Sequence, residues 1–269
     1  MASRVVRISI APVKALGLVH PEEVVVGPSG VTGDRRFWLR DTEGRLFNGK
    51  RDGALQQIRP EWDESSRRLA LAFPDGTHAE GVVELGEQVD AVMYGELRPS
   101  RRVVGPWQEA VSDFVGRPLE LLWADDGGVD RLTDKGTVSL VSTASLERLR
   151  EEMAFDRPVD GRRFRMLFEI EGVGPHEEDT WIGRHVTIGD AEIVVRGDIG
   201  RCVVTSRDPD TGDVDMPTLV TLAGYRRDGH SEPLPFGVKG TVHIPGRVRV
   251  GDIASPLYSD EWEPAAATS

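Results

Sequence analysis

With one cysteine, Cys202, among 269 residues, the chain cannot form an internal disulfide or hold an iron–sulfur cluster. A four-ligand zinc centre is not expected either. The six histidines, His20, His78, His176, His185, His230 and His243, are scattered, with no pair at helical spacing and no cysteine pair to complete a site. Long apolar runs are missing: stretches such as 24–26 and 138–141 are far too short to cross a bilayer, so no membrane partner is expected. Basic charge is scarce, with 33 Lys and Arg against 45 Asp and Glu. The resulting net charge of -12 argues against nucleic acid as a partner. The chain does not open on a basic segment followed by an apolar stretch, and the cytoplasm is the expected location.

Several motifs are also lacking. The segment GVGPHEE from Gly172 has two glycines of a dinucleotide fingerprint without the third, and no strand–helix–strand unit surrounds it. Neither a P-loop nor a nucleophile elbow occurs. The acidic cluster His176–Asp179 reads as an exposed, solvated loop rather than a cation site.

What is present is ordinary globular composition, 39% hydrophobic and 29% charged, enough for one extended β-rich domain or two packed subdomains. Alternation predicts a strand over 4–10, broken by Pro12 just before Lys14. A glycine-rich loop and a hairpin turning at DTEG follow, then short strands in RLALAF, GVVEL and VDAVM. The period changes at GPWQEAVSDFVGRP, where Trp107, Val111, Phe114 and Val115 share a helical face and Gly116 stops the helix. TVSLVSTASLERLREEM reads as a strand entering a helix capped by Ser142 or Thr143. Strand pairs RRFRMLFEI and HVTIGDAEIVV, a short helix in MPTLVTLAGYR, and closing strands TVHI and RVRVGD complete the chain. Roughly a dozen strands with few helices point to a β-barrel or curled mixed sheet with covering helices. The change of period divides the chain into 1–105 and 106–258, followed by a mobile tail at 259–269.

The basic residues Lys14, Arg35, Arg36, Lys50, Arg51, Arg162, Arg163 and Arg165 are numerous enough to form a local cationic pocket on an acidic protein. Alternatively, RRFW and GRRFR place arginines against Trp38 and Phe164 on edge strands. A lone cysteine between valines is usually a small buried hydrophobe. Against that, Arg201 beside Cys202 favours the thiolate, a soft metal ligand, and Gly197 and Gly200 permit close backbone approach.

The segment RCVVTSRDPDTGDVDMPTLVTLAGYR, with APVKALG, GDRRFWLRDTEG, LVSTASLERL and the closing RVRVGD in order, resembles the MOSC family. That family is the C-terminal domain of molybdenum cofactor sulfurase, also found, with an N-terminal β-barrel domain, in the mitochondrial amidoxime reducing component. The resemblance extends to about Tyr258 and implies a mainly β fold with some α, a MOSC-type barrel preceded by a β-barrel-like subdomain. It also implies the molybdenum cofactor, a pyranopterin molybdenum group, with Cys202 as metal ligand and catalytic residue. Lys14, Arg36, Ser142, Arg165 and Arg201 would be its cofactor contacts. The chain departs from the amidoxime-reductase pattern at Ala15, Leu167 and Gly200. The implied activity is a molybdenum-dependent oxidoreductase reducing N-hydroxylated or other N-oxygenated small molecules, fed by a separate electron-donor protein. Asp208 and Asp210 would either deliver protons or simply build a turn. Two other readings are a molybdenum-independent sulfur carrier or carbon–sulfur enzyme using Cys202 as persulfide or nucleophile, and a non-catalytic ligand-binding module.

Overall fold

The computed structural model describes residues 3–125, 127–128 and 137–257, so the expected tail at 259–269 lies outside the described residues. Eighteen strands and three α-helices, α1 (Trp107–Val115), α2 (Thr143–Glu152) and α3 (Thr218–Tyr225), occur among the described residues. The fold is mainly β, as expected. No helix among the described residues is long and apolar enough to cross a membrane.

The largest sheet has seven strands, in the order Arg4–Ile8, Phe168–Glu171, Val138–Ser142, Pro235–Ile244, Ala191–Gly200, His185–Ile188 and Ala254–Pro256. Its edges meet where Arg4 bridges Ile253, Val5 N–H donates to Asp252 O at 2.9 Å, and Ala254 N–H donates to Ser3 O at 3.0 Å. The sheet thereby becomes a nearly closed barrel, which protects edges that would otherwise pair with other chains. Period-two residues such as Ala191, Ile193 and Val195 point inward and join Ile8, Leu140, Phe168 and Val238 in one buried core.

A second core gathers Phe37, Leu39, Leu55, Leu71 and Trp107. Around it lie a five-stranded antiparallel sheet ordered Leu46–Phe47, Phe37–Asp41, Leu119–Ala124, Glu96–Val104, Glu84–Met93 and a meander of Arg59–Asp63, Arg68–Ala72 and His78–Val82. Helix α1 covers this core. Trp107 is fully enclosed with its Nε1–H donating to Leu69 O at 3.1 Å, and Gly116 ends the helix at φ 72°, a left-handed conformation that glycine adopts without steric cost. The strands Glu23–Gly27 and Gly246–Arg249 pair with each other, joining the early and late parts of the chain.

Three expectations need correction. GVVEL and VDAVM are not two separate strands: most of that stretch lies in the single strand Glu84–Met93, which turns at Tyr94 and Gly95, both with positive φ, into Glu96–Val104. The stretch 162–170 is not one strand. Asp160 caps a short 3-10 turn over Gly161–Phe164, Arg165 is left-handed at φ 54°, and the strand begins only at Phe168. Nor is His176–Asp179 a solvated loop. Glu178 is fully buried, accepting hydrogen bonds from Ser142 N–H at 3.1 Å, Ser142 Oγ at 3.0 Å and Ser145 Oγ at 2.7 Å, while Asp179 pairs with Arg226 at 2.6 Å.

His176 sits 5.7 Å edge-on from Phe236 in the core beneath α2 and α3, and its Nδ1 has no hydrogen-bond partner. Burial, with the nearby charges of Arg226 and Arg148, lowers its pKa from 6.5 to about 4. The folded-state pKa lies below the unfolded one, so the ring's contribution is fully present above about pH 6.5 and is lost as pH falls toward 4. Discounted for the ring's partial exposure, about 2 kcal/mol is at stake. Wild-type Tm should therefore fall more steeply over that window than the Tm of His176→Leu. Parallel curves would show that another group governs it.

Candidate functional site

A cavity of about 350 Å³ opens where the end of the strand Ala191–Gly200 meets the loop around Lys14, the turn at Gly161–Phe164 and the tip of the long hairpin. Six cationic side chains, Lys14, Arg35, Lys50, Arg163, Arg165 and Arg201, line it against one carboxylate, Glu232. Cys202 and Tyr94 complete the part of the wall that matters chemically. The volume falls within the range of small-ligand and cofactor sites.

Cys202 lies just past the strand end in an extended conformation, φ -134° and ψ 176°, where the short turn Val203–Ser206 begins. Its carbonyl accepts Thr205 N–H at 3.0 Å and Thr205 Oγ1–H at 2.9 Å, so the backbone is held while the half-buried thiol faces the cavity wall. Arg201 sits next to it and acts as a strap. Its guanidinium donates to Phe236 O at 2.8 Å and Phe164 O at 3.1 Å and approaches Met166 Sδ at 2.9 Å. Three segments of chain are thereby tied behind the cysteine.

Arg165, Arg35 and Arg163 are held in place as well. Arg165 donates to Leu16 O at 2.8 Å, and Arg35 donates to Arg165 O at 3.1 Å while paired with Asp34. Lys14 is nearly buried, its Nζ 5.7 Å from the Tyr94 ring centroid. Arg163, only 3% exposed, forms a two-pronged pair with Asp215 at 2.6 and 2.8 Å. That pairing outweighs partial burial and holds the Asp215 carboxyl below its ordinary range. Of the eight non-glycine residues with positive φ among the described residues, four, Ala15, Arg35, Tyr94 and Arg165, line the cavity. Each such residue costs about 1–2 kcal/mol, a strain that persists only where the surrounding fold imposes it and that clusters at functional sites.

Lys14, Arg165, Arg201 and Cys202 therefore share one cavity. Arg36 and Ser142 do not. Arg35, left-handed at φ 50°, turns into the cavity, which sends its neighbour Arg36 the other way, 3.9 Å above the Trp123 ring. Ser142 is wholly buried: its Oγ caps α2 by accepting Ser145 N–H at 3.0 Å and donates to Glu178. Of the wider basic set, Arg51 and Arg162 also point elsewhere, Arg51 to Asp41 at 2.6 Å and Arg162 to Asp210 at 2.7 Å. Asp208 and Asp210 lie outside the cavity wall. Asp208 builds the turn by accepting Asp210 N–H at 2.9 Å and Thr211 N–H at 3.0 Å, and Asp210 is bracketed by Arg162 and Arg59. These hydrogen bonds, Arg162's foremost, keep Asp210 ionised to lower pH than usual, which makes it a poor proton donor.

The three departures acquire physical reasons. Ala15 contributes only a methyl group to the wall, at φ 79°. Leu167 belongs to the barrel core and so offers nothing to the cavity. At Gly200 a Cβ would come within 2.7 Å of Pro233 O and 3.0 Å of Glu232 Cβ, so a serine there would collide with the loop that closes the wall. Asp198 holds that loop, taking hydrogen bonds from Ser231 N–H at 3.0 Å, Ser231 Oγ at 2.5 Å, Glu232 N–H at 2.9 Å and His230 N–H. Tyr94 and Glu232 were not singled out by the sequence pattern. The Tyr-Gly turn between alternating segments is the signal that would have placed Tyr94 at a hairpin tip.

The fold and the site define a barrel protein with a thiol-bearing, cation-lined cavity. The chain belongs to the MOSC family. The MOSC domain matches residues 128–255, and the MOSC N-terminal beta barrel domain matches residues 2–116. Among curated proteins it is similar to mitochondrial amidoxime-reducing component 1 of Mus musculus, 38% identical over 133 residues that cover 47% of this chain and 37% of that protein. It is also similar to molybdenum cofactor sulfurase of Anopheles gambiae, 28% identical over 257 residues that cover 82% of this chain and 32% of that protein. The matches thus span about a third of the length of these relatives. Among solved structures, YUAD protein from Bacillus subtilis aligns with 96% of this chain and 97% of its own at 11% identity and a TM-score of 0.44.

Proposed function

We propose that the cavity holds the molybdenum cofactor with the Cys202 thiolate as metal ligand, and that the protein reduces N-hydroxylated or other N-oxygenated small molecules. The observation that carries this reading is the placement of the chain's only thiol on the wall of a cavity lined by six cations. The donor set suits the group: a thiolate is a soft ligand for a transition metal, and lysine and arginine suit a phosphate. The names of the relatives, amidoxime-reducing component and molybdenum cofactor sulfurase, support the same choice.

When bound, the cofactor would supply two-electron oxygen-atom chemistry. The chain's own part is to bind and orient. Arg201 fixes the cysteine by tying down Phe164 and Phe236, while Lys14 and Arg165 offer positive charge from two different segments of the chain. Tyr94, at the hairpin tip, contributes an aromatic ring to the wall. Glu232, held against Lys239, is the wall's carboxylate. One cysteine cannot hold an iron–sulfur cluster, so reducing equivalents would come from a separate electron-donor protein.

Metal and sulfur analysis tests this on protein purified from a host that makes the cofactor. Near-stoichiometric molybdenum is the expected result. Sulfane sulfur on Cys202 without metal would replace the reading with sulfur transfer, and neither would leave a binding module.

A further inference from the structure

On the outer face of the barrel, at the end remote from the cavity, three metal-ligating side chains from three adjacent strands meet. Glu192 and Gly200 stand at opposite ends of the strand Ala191–Gly200, about 26 Å apart along it. In the register of the neighbouring strand, His185 faces Val194 and Thr187 faces Glu192, so His185 and Glu192 are diagonal neighbours on one face. The third residue, His243, arrives by an irregularity. Glu192 pairs with Ile244 and the next residue, Ile193, pairs with Val242, which leaves His243 as the extra residue of a bulge. In an unbroken ladder His243 would stand opposite Ile193, whose side chain is 1% exposed and belongs to the core. The bulge sends Val242 to the core instead and turns His243 outward beside Glu192.

One ligand atom from each of the three residues lies within 4.8 Å of the other two. His185 Nδ1 is hydrogen-bonded to Glu192 Oε1, and His243 Nε2 lies 3.9 Å from the same oxygen. The two imidazoles meet edge to face, at 89° and 4.8 Å between centroids, so their nitrogens converge on the carboxylate. Two imidazoles and one carboxylate form the N₂O set that binds zinc while leaving a coordination position open, and imidazole equally suits copper and nickel. We propose that His185, Glu192 and His243 form a divalent transition-metal site of the zinc class, separate from the cavity, with water in the open position. Ligation needs a bare nitrogen on each imidazole, so protons and the metal ion compete for the site.

Calorimetric titration of the full chain with zinc sulfate tests the assignment. One equivalent should bind to the wild type and to Cys202→Ser. His243→Ala and Glu192→Gln should each weaken that equivalent by at least about tenfold. The residues lie on the barrel's outer face, so circular dichroism of the metal-free variants should match the wild type. A second readout does not depend on the variants: imidazole nitrogen resonances of His185 and His243 should shift on zinc addition while those of the other histidines stay put. Absence of binding at micromolar zinc, unchanged affinity in both variants, loss of the equivalent in Cys202→Ser, or shifts confined to the other histidines would overturn the proposal.

Discussion

Under the proposed function, Cys202→Ser is expected to lose bound molybdenum and N-oxygenate reduction together, each by at least about 100-fold. Its fold should be unchanged, with a stability within about 1 kcal/mol of wild type. The reasoning is local. The side chain is half-buried and in no disulfide, and the structural work at this position is done by the carbonyl, which holds Thr205. Serine keeps that carbonyl and nearly the same volume but offers a hard oxygen in place of a soft sulfur. Metal content, reduction of an amidoxime substrate and thermal melting, measured on one preparation, separate a lost ligand from a lost fold. Full activity in the variant would dismiss any chemistry at this sulfur, persulfide included.

Asp198→Ala should have the largest effect on stability, about 4 kcal/mol, read from denaturant unfolding. The carboxylate is 2% exposed and accepts from three consecutive backbone amides, His230 to Glu232, and from the Ser231 hydroxyl. Burial alone would raise its pKa. The hydrogen bonds from Ser231, His230 and Glu232 outweigh burial and hold it below the ordinary range. Removing the side chain leaves those amides without their acceptor and releases the loop that carries Glu232 and Pro233 into the cavity wall. Under the proposed function molybdenum content should fall as well, although Asp198 does not line the cavity. Asp198→Asn, which keeps one oxygen but presents an amide donor where His230 N–H needs an acceptor, should fall between the two. A melting curve for Asp198→Ala that overlays wild type would mean that other contacts hold the loop.

Much of this arrangement was legible because it rests on local rules. Gly116 as a helix stop, Ser142 or Thr143 as an N-cap and DTEG as a hairpin turn follow from the backbone preferences of single residues; the stop and the turn stand where expected, and Ser142 is the cap. Cys202, Lys14, Arg165 and Arg201 line a common cavity. What could not be read was the direction of side chains at left-handed residues. Nothing in the letters RR shows that Arg35 adopts φ 50°, yet that one torsion decides which arginine enters the cavity and which stacks on Trp123. Buried polar clusters were equally hidden: Glu178 looks like a surface acid until the strand end at Ser142 folds over it. Scattered histidines look unrelated for the same reason. His185 and His243 are 58 positions apart in the chain and come together only through strand pairing and a bulge.

The barrel's closure has a consequence for how the protein comes into being. Arg4–Ile8 comes before every other strand described here, but it pairs with Phe168–Glu171 and then meets the segment around Ile253, among the last residues described. That strand finds its ladder partner only after a loop of about 160 residues has closed, and its other edge is met only when the segment around Ile253 arrives. The early elements packed around Trp107 and Phe37 bury their own apolar surface meanwhile. Birth of the cavity is therefore a late event, set by arrival of the carboxyl-terminal strands rather than by the pace of the half that is made first.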